Sequence, residues 1–456
     1  MDGDLNNKIS KCNRRDFLTL STKVGLGAAV SGLSLSGCEQ VQRGAYSPVK
    51  AKALGTVRIG VVGVGNRGPY LTKELAGMQG AEIRAICDII PEKAERVQKE
   101  ITEMGKPRPD VYTRGEEDYK RMCARDDLNL VVTATPWKLH TPICLEAMKA
   151  GKHVATEVPA ALTIDECWQL VETSEKTGKH CIMLENCCYG RSEMMVLNMV
   201  RQGLLGEVVH GECGYLHDLR HIKLSPNGYE GQWRLKYSIE HTGNPYPTHG
   251  LGPVAQCMNI NRGDKFDYLV SMSSKSIGLN LYAAKEYGEN SLQAKKKYAL
   301  GDINVSMIRT IKGRTITLYH DCSSPRPYSR INTVQGTKGI FEGYPDRIHI
   351  EGRSPEHQWD SVEEYLKEFD HPLWKKQGEK ASGAGHGGMD YMELYRLVKT
   401  LCEGVYPDMD VYDAADWSVI VELSERSVLK KSCPVDFPDF TRGNWKKRLP
   451  IGIVEA

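Results

Sequence analysis

The sequence predicts an α/β protein in two parts. An N-terminal domain built on a parallel, doubly wound sheet precedes an α/β domain with an open, mainly antiparallel sheet. Three observations lead there. From residue 57 to 186, apolar strand-like runs alternate with helical stretches, the βαβ pattern of a parallel sheet. The first of those strands runs directly into a glycine-rich turn. Beyond Tyr189 helices become sparse and short alternating runs take over, as in a sheet with one covered face.

The first strand is Val57 to Val62, and Gly63, Gly65 and Gly68 follow with G-x-G-x-x-G spacing. The three glycines serve a tight turn, backbone approach to a pyrophosphate, and close helix–strand packing. A helical stretch from Tyr70 to Met78 follows, with its N-terminal amides aimed at phosphates. The run Ala81 to Asp88 is a second strand ending in an acid 20 residues beyond Gly68. A carboxylate at that position accepts hydrogen bonds from an adenosine ribose diol, which favours NAD over NADP. Residues 57–188 are therefore a Rossmann-type, NAD-binding domain.

Its later elements follow in order. Pro91 suits the first turn of a helix reaching Met104. Leu128 to Thr135 is a continuous apolar strand of the buried parallel kind, with Pro136-Trp137-Lys138-Leu139-His140 at its C-terminal end. That edge of a doubly wound sheet is where ligands bind. A helix from Thr141 to Ala150 leads to the strand His153 to Thr156 and then Glu157-Val158-Pro159-Ala160. The helix Ile164 to Thr177 and the strand His180 to Glu185, ending at Asn186, complete the alternation.

The second domain is expected over 189–456. A helix from Glu193 to Gln202 opens it. Strand-like runs cover Val208 to Tyr215, Tyr268 to Ser273, Asn304 to Lys312, Thr315 to Tyr319 and Arg347 to Glu351. Helices return at Asp390 to Gly404 and Ala414 to Leu429. Cys213, His217 and His221 have helical spacing, but they start in a strand-like run where they do not converge, so no metal site is expected. His386 lies among four glycines in Ser382 to Met389. That loop suits closure over a ligand, and a solvent-exposed histidine fits it equally well.

Ahead of the core, Asn13-Arg14-Arg15-Asp16-Phe17-Leu18 reads as a twin-arginine export signal. A weakly apolar run from Val24 to Leu35 leads into Leu35-Ser36-Gly37-Cys38, which has the form of a lipobox. Residues 1–37 are read as the signal peptide, Cys38 as the lipidated residue, and 38–56 as a polar linker. The expected product is a periplasmic or cell-envelope lipoprotein that meets the membrane only through its lipid anchor. Twin-arginine export carries folded proteins, so a cofactor bound in the cytoplasm travels with the chain. A net charge of +2 gives no hint of nucleic acid. The 14 cysteines have no disulfide-framework spacing.

Several stretches resemble the family 109 glycoside hydrolases, an NAD-dependent branch of the Gfo/Idh/MocA superfamily. They are Thr135-Pro-Trp-Lys-Leu-His140, Gly151-Lys-His-Val154, Glu157-Val-Pro-Ala-Ala161, Glu166-Cys-Trp168, Leu184-Glu-Asn186, Tyr215-Leu-His-Asp-Leu-Arg220, Tyr246-Pro-Thr-His-Gly-Leu-Gly-Pro253 and Ile260-Asn-Arg-Gly-Asp264. The resemblance spans about residues 57–440. Sugar dehydrogenases of the superfamily usually carry Glu-Lys-Pro where this chain has Glu157-Val158-Pro159. They also tend to have an aspartate where Pro245 stands, four residues before His249. Val158 cannot titrate, so the hydrolase branch is the better match.

The resemblance implies a glycosidase, best known for α-linked N-acetylgalactosamine, with NAD as a resident catalyst. The route it implies is oxidation at carbon 3, elimination at carbon 1, water addition and re-reduction, with the carbon 2 base left open. No carboxylate pair is then required. Cofactor contacts map onto Asn66, Arg67, Asp88, Trp137, Lys138, Leu139, His140, Glu157, Val158 and Asn186, beside Gly63 and Gly65 of the turn. Lys138 and Leu139 need contribute only backbone. Substrate contacts map onto Tyr215, Arg234, Tyr246, Pro247, Thr248, His249 and Tyr328. Tyr246 and His249 are the expected proton-transfer pair, since histidine titrates near neutrality. A glycan end is the expected partner, and a homo-oligomer is in keeping with the superfamily. The competing readings are an NAD-dependent sugar dehydrogenase and a non-catalytic sugar-binding lipoprotein.

Overall fold

The computed structural model describes Val49 and residues 51–451. The twin-arginine run, the lipobox with Cys38, and most of the expected linker lie outside the described residues. No helix among the described residues is long and apolar enough to cross a membrane.

The first sheet is built from β1 (Val57–Val62), α1 (Arg67–Gly77), β2 (Ala81–Cys87), α2 (Pro91–Glu103), β3 (Asp110–Tyr112), α3 (Asp118–Cys123), β4 (Leu130–Thr133), α4 (His140–Lys149), β5 (His153–Thr156), α5 (Ile164–Thr177) and β6 (Cys181–Met183). Its strand order is β3-β2-β1-β4-β5-β6, with every pair parallel. The order reverses between β1 and β4, which opens a crevice at the carboxyl ends of those strands. Both strands are mostly apolar and, apart from half-buried Arg58, buried along their length, as a sheet covered on two faces requires. α1 begins at Arg67, one turn earlier than the apolar pattern predicts. β3 and α3 are short and polar enough to escape periodicity altogether.

The second half starts with α6 (Arg191–Arg201), β7 (Val208–Leu216), α7 (Arg220–Leu224), α8 (Trp233–Glu240), α9 (Thr248–Cys257), β8 (Phe266–Ser273), α10 (Gly278–Tyr287) and α11 (Leu292–Lys295). It continues with β9 (Ile303–Thr310), β10 (Thr315–Asp321), β11 (Thr333–Gly336), β12 (Gly339–Glu342), β13 (Arg347–Ile350), α12 (Glu363–Phe369) and α13 (Pro372–Ala381). It ends with α14 (Met389–Glu403), α15 (Val411–Ser418), α16 (Ile420–Leu429) and β14 (Val435–Asp436). Eight strands form one open sheet in the order β13-β12-β11-β7-β10-β9-β8-β14. It is antiparallel except for the β7–β10 pair. Helices are less sparse here than the sequence pattern indicates. The Tyr246 to Pro253 motif itself turns into α9, where small residues let the helix lie directly on β7. A Cβ on Gly250 would stand 2.3 Å from the Gly214 amide nitrogen.

Many contacts bind the halves together, α14 prominent among them. α14 packs Leu394, Leu397, Val398 and Leu401 into one cluster with Val57, Ile59, Val61 and Leu71. The end of the expected linker is not free: the amides of Leu54 and Gly55 donate to the carbonyls of Leu401 and Cys402. Those are last-turn acceptors of α14 that have no partner within the helix. Ten of the twelve described cysteines are buried as free thiols, and none forms a disulfide.

Candidate active site

The glycine turn lies at the reversal of the strand order. Gly63 has φ +85°, and a side chain there would meet Ala134 and Thr135 of the neighbouring strand end within 3 Å. A Cβ on Gly68 would stand 1.9 Å from the Gly63 carbonyl oxygen. Gly65 differs from both: a Cβ there has nothing within 4 Å, because the residue faces a cavity of about 980 Å³. α1 starts beside it with no side-chain capping bond, so its first amides remain available to an anion. Asp88 lines the same cavity and accepts from the Val64 and Ile90 amides at 2.8 and 2.9 Å. Each carboxylate oxygen keeps a lone pair for a ribose hydroxyl. The open cradle at Gly65, the uncapped helix and the acid fit a dinucleotide.

Most of the residues expected to contact a cofactor or a sugar line this one cavity. Asn66, Arg67, Trp137, Leu139, His140, Glu157, Val158, Asn186, Tyr215, Arg234, Tyr246 and His249 all do. Lys138 points to solvent from a short 3-10 turn, and Pro247 and Thr248 are buried in the start of α9. Tyr328 does not line the cavity; it is 37% exposed, with its ring 6.0 Å from that of Tyr215, which does. His140 is buried with its ring nitrogens 2.7 and 2.9 Å from the Pro159 and Thr135 carbonyls. It braces two strand ends, and burial holds its pKa below the ordinary histidine value against those two bonds.

Arg67 does not hold out a free cation. It donates to Glu157 at 2.7 Å and to both oxygens of Asp390 at 2.6 and 2.7 Å. Asp390, in the first turn of α14, is fully buried and also accepts from Asn186 at 2.7 Å. His386 of the glycine-rich loop contacts Asp390 at 2.7 Å. Burial works to raise the Asp390 pKa, but Arg67, His386 and Asn186 hold it well below the ordinary carboxylate range.

His249 forms the chemical centre. Its Nδ1 lies 2.6 Å from Glu185 Oε1, and its Nε2 lies 3.2 Å from the Tyr246 hydroxyl. Glu185 is fully buried. Burial favours its neutral form, and the contact with His249, together with the Cys187 amide, overcomes that and lowers its pKa. An acceptor so close to Nδ1 fixes the imidazole proton there and leaves Nε2 to accept from Tyr246. The Tyr246 phenol stacks on Trp137 at 5.6 Å, and burial pushes its pKa well up, so it is a neutral donor. Glu185, Cys187 and His249 also offer ligand atoms within 4.8 Å of one another. The His249–Glu185 hydrogen bond accounts for that proximity.

The Arg234 guanidinium carbon lies 4.7–5.2 Å from the ring centres of Tyr229, Trp137, Tyr246 and Trp233. Its Nε is buried without a hydrogen-bond partner among the described residues. A cation caged by four rings keeps its donors for a ligand in the cavity. Val158, 2% exposed, offers no titratable group where a dehydrogenase lysine would stand.

Sequence reasoning assigns no role to Glu185 or Asp390. Glu185 left a faint signal, as an acid ending an apolar strand on the ligand-binding edge. Asp390 left only an acid in the first turn of a helix, 323 residues from the Arg67 it holds.

A nucleotide cradle and a histidine–tyrosine pair in one cavity define an NAD-binding oxidoreductase fold with a second, substrate-holding half. Residues 57–185 match the family description "Oxidoreductase family, NAD-binding Rossmann fold", and residues 189–447 match "Glycosyl hydrolase 109, C-terminal domain". The chain is 50% identical over 446 residues to a glycosyl hydrolase family 109 protein of Solibacter usitatus, covering 97% of this chain and 100% of the relative. It is 44% identical over 457 residues to an α-N-acetylgalactosaminidase of Shewanella oneidensis, covering 97% of this chain and 99% of that one. Among solved structures, an NAD-binding oxidoreductase from Klebsiella pneumoniae shares the fold with a TM-score of 0.68 at 14% identity, over 84% of this chain and 100% of the other. Levoglucosan dehydrogenase in complex with NADH and levoglucosan does so with a TM-score of 0.66 at 19% identity, over the same shares of each chain. The chain belongs to glycosyl hydrolase family 109. It is a glycoside hydrolase with NAD as its cofactor.

Proposed function

We propose that the protein is an exported glycosidase that removes terminal α-linked N-acetylgalactosamine through a redox-assisted elimination and addition. The relative from Shewanella oneidensis, named for that activity, supports the substrate. The observation that carries the chemistry is the Glu185–His249–Tyr246 chain, opening into the same cavity as the glycine turn. The turn and the first amides of α1 would hold the NAD pyrophosphate, and Asp88 the ribose. When bound, NAD supplies reversible hydride exchange with carbon 3 of the sugar.

The chain's own residues handle the proton of the sugar hydroxyl. Tyr246 accepts the proton of the sugar hydroxyl as its own proton passes to His249 Nε2 across 3.2 Å. Glu185 stabilises the resulting imidazolium, and being buried it does so without competition from water. The same chain returns the proton when the hydroxyl re-forms. Arg234 donates to sugar oxygens from its aromatic cage, and the stacked Trp137 and Tyr246 rings exclude water. With Val158 and Pro245 unable to titrate, proton transfer at the sugar hydroxyl falls to the Tyr246–His249 pair.

Residues 1–37 act in this reading as a twin-arginine lipoprotein signal, so the enzyme reaches the cell envelope already carrying its cofactor. The test is cleavage of nitrophenyl α-N-acetylgalactosaminide by protein as purified. Product without accumulating reduced nicotinamide supports the glycosidase; reduced nicotinamide formed in step with product means a dehydrogenase.

A further inference from the structure

Tyr344 sits at the tip of the turn between β12 and β13 with φ +59°, a left-handed backbone that bulky residues adopt only under constraint. Its ring packs edge-on against Tyr328, 6.0 Å between centres. Tyr328 in turn meets His217 at 5.1 Å and Tyr215 at 6.0 Å. Tyr215 reaches Tyr246 at 4.7 Å and His249 at 5.5 Å. An unbroken line of rings thus runs outward from the proton-transfer pair. Tyr246 and Tyr215 are 7% and 8% exposed, whereas Tyr328 and Tyr344 are 37% and 39% exposed.

The outer two rings are held in place. The buried Arg330 guanidinium lies 5.8 and 5.4 Å from their centres and donates to the Tyr328 hydroxyl at 3.2 Å. Glu193 of α6 anchors Arg330 at 2.5 Å. The Ser192 hydroxyl bonds Asp346 and ties the turn to α6. Half-exposed aromatic faces that continue the ring line outward from Tyr215, which lines the cavity, match the apolar C–H face of a pyranose bound next to it.

We propose that Tyr344, together with Tyr328, forms a second subsite that holds the sugar of the leaving group. This rests on the glycosidase reading and adds that the enzyme prefers an oligosaccharide end to a simple glycoside. The test compares methyl α-N-acetylgalactosaminide with the disaccharide in which α-N-acetylgalactosamine is linked to galactose. Tyr344→Ala is expected to lower kcat/KM for the disaccharide roughly tenfold, the size of one aromatic stacking contact, and to leave the methyl glycoside within about twofold. Tyr344→Phe, which keeps the ring, is expected to stay within about threefold of the wild type on the disaccharide and to match it on the methyl glycoside. A Tyr344→Ala enzyme that loses both substrates equally, or neither, overturns the subsite and leaves the glycosidase standing. A wild-type enzyme that cleaves neither glycoside overturns the substrate reading and the subsite with it.

Discussion

Replacing Glu185 by glutamine keeps the shape of the side chain and removes its charge. In the wild type the carboxylate stands 2.6 Å from His249 Nδ1, fully buried, beside a ring whose side chain is 13% exposed. At an effective dielectric of ~20, an imidazolium and a carboxylate at that distance attract by about 6 kcal/mol. The glutamine oxygen keeps roughly half of that as a neutral acceptor, so the loss is about 3 kcal/mol, on the order of a hundredfold in rate. The loss falls where the imidazolium forms, in kcat rather than in KM. The assay is steady-state cleavage of an α-N-acetylgalactosaminide by wild type and Glu185→Gln, with bound NAD quantified in both. The reasoning is refuted if kcat falls less than about threefold while NAD content is equal. It is equally refuted if KM alone changes.

Asp390→Asn removes the counter-charge that orients Arg67 and Asn186, so the Kd for NAD is expected to rise roughly tenfold; equilibrium dialysis that finds it unchanged denies Asp390 a positioning role. Gly65→Val is expected to keep the melting temperature of NAD-free protein and abolish NAD binding, whereas Gly68→Ala should lower that temperature itself, since its Cβ meets Gly63. His153 and His180 stack in the interior, and burial together with nearby positive charge lowers their pKa to about 3 and about 4. Below pH ~6.5 the unfolded chain takes up their protons while the folded chain does not, so stability falls with pH until those lowered values are reached, by about 2 kcal/mol per histidine at pH 5. Urea unfolding at pH ~7 and ~5 measures it. A His153→Gln, His180→Gln double variant that loses as much stability as the wild type contradicts the assignment.

What could be read from the sequence was whatever short-range spacing encodes. The glycine turn, its strand and Asp88 obey local rules of turn and strand geometry, so the nucleotide half was legible apart from the short β3 and α3. Tyr246 and His249 were legible through a motif, although the helix that seats them was not, because Gly250, Gly252 and Pro253 argue against a helix until β7 is seen against it. Glu185 and Asp390 could not be found in the same way. Their partners are 64 and 323 residues away, and no periodicity records a pairing created by the packing of α9 beside the turn that follows Glu185 and of α14 against the first sheet. The crossing of α14 into the nucleotide half was hidden for the same reason: its apolar stripe says that it is buried, and not against which sheet.

The claim on which the rest depends is that the glycosidic bond breaks by elimination after transient oxidation. Hydrolysis of an α-N-acetylgalactosaminide in deuterated water tests it directly, read by nuclear magnetic resonance of the released sugar. The account predicts deuterium at carbon 2, exchanged when the proton is removed and returned. Released sugar with carbon 2 still carrying its original hydrogen, from an enzyme that cleaves efficiently, would contradict it.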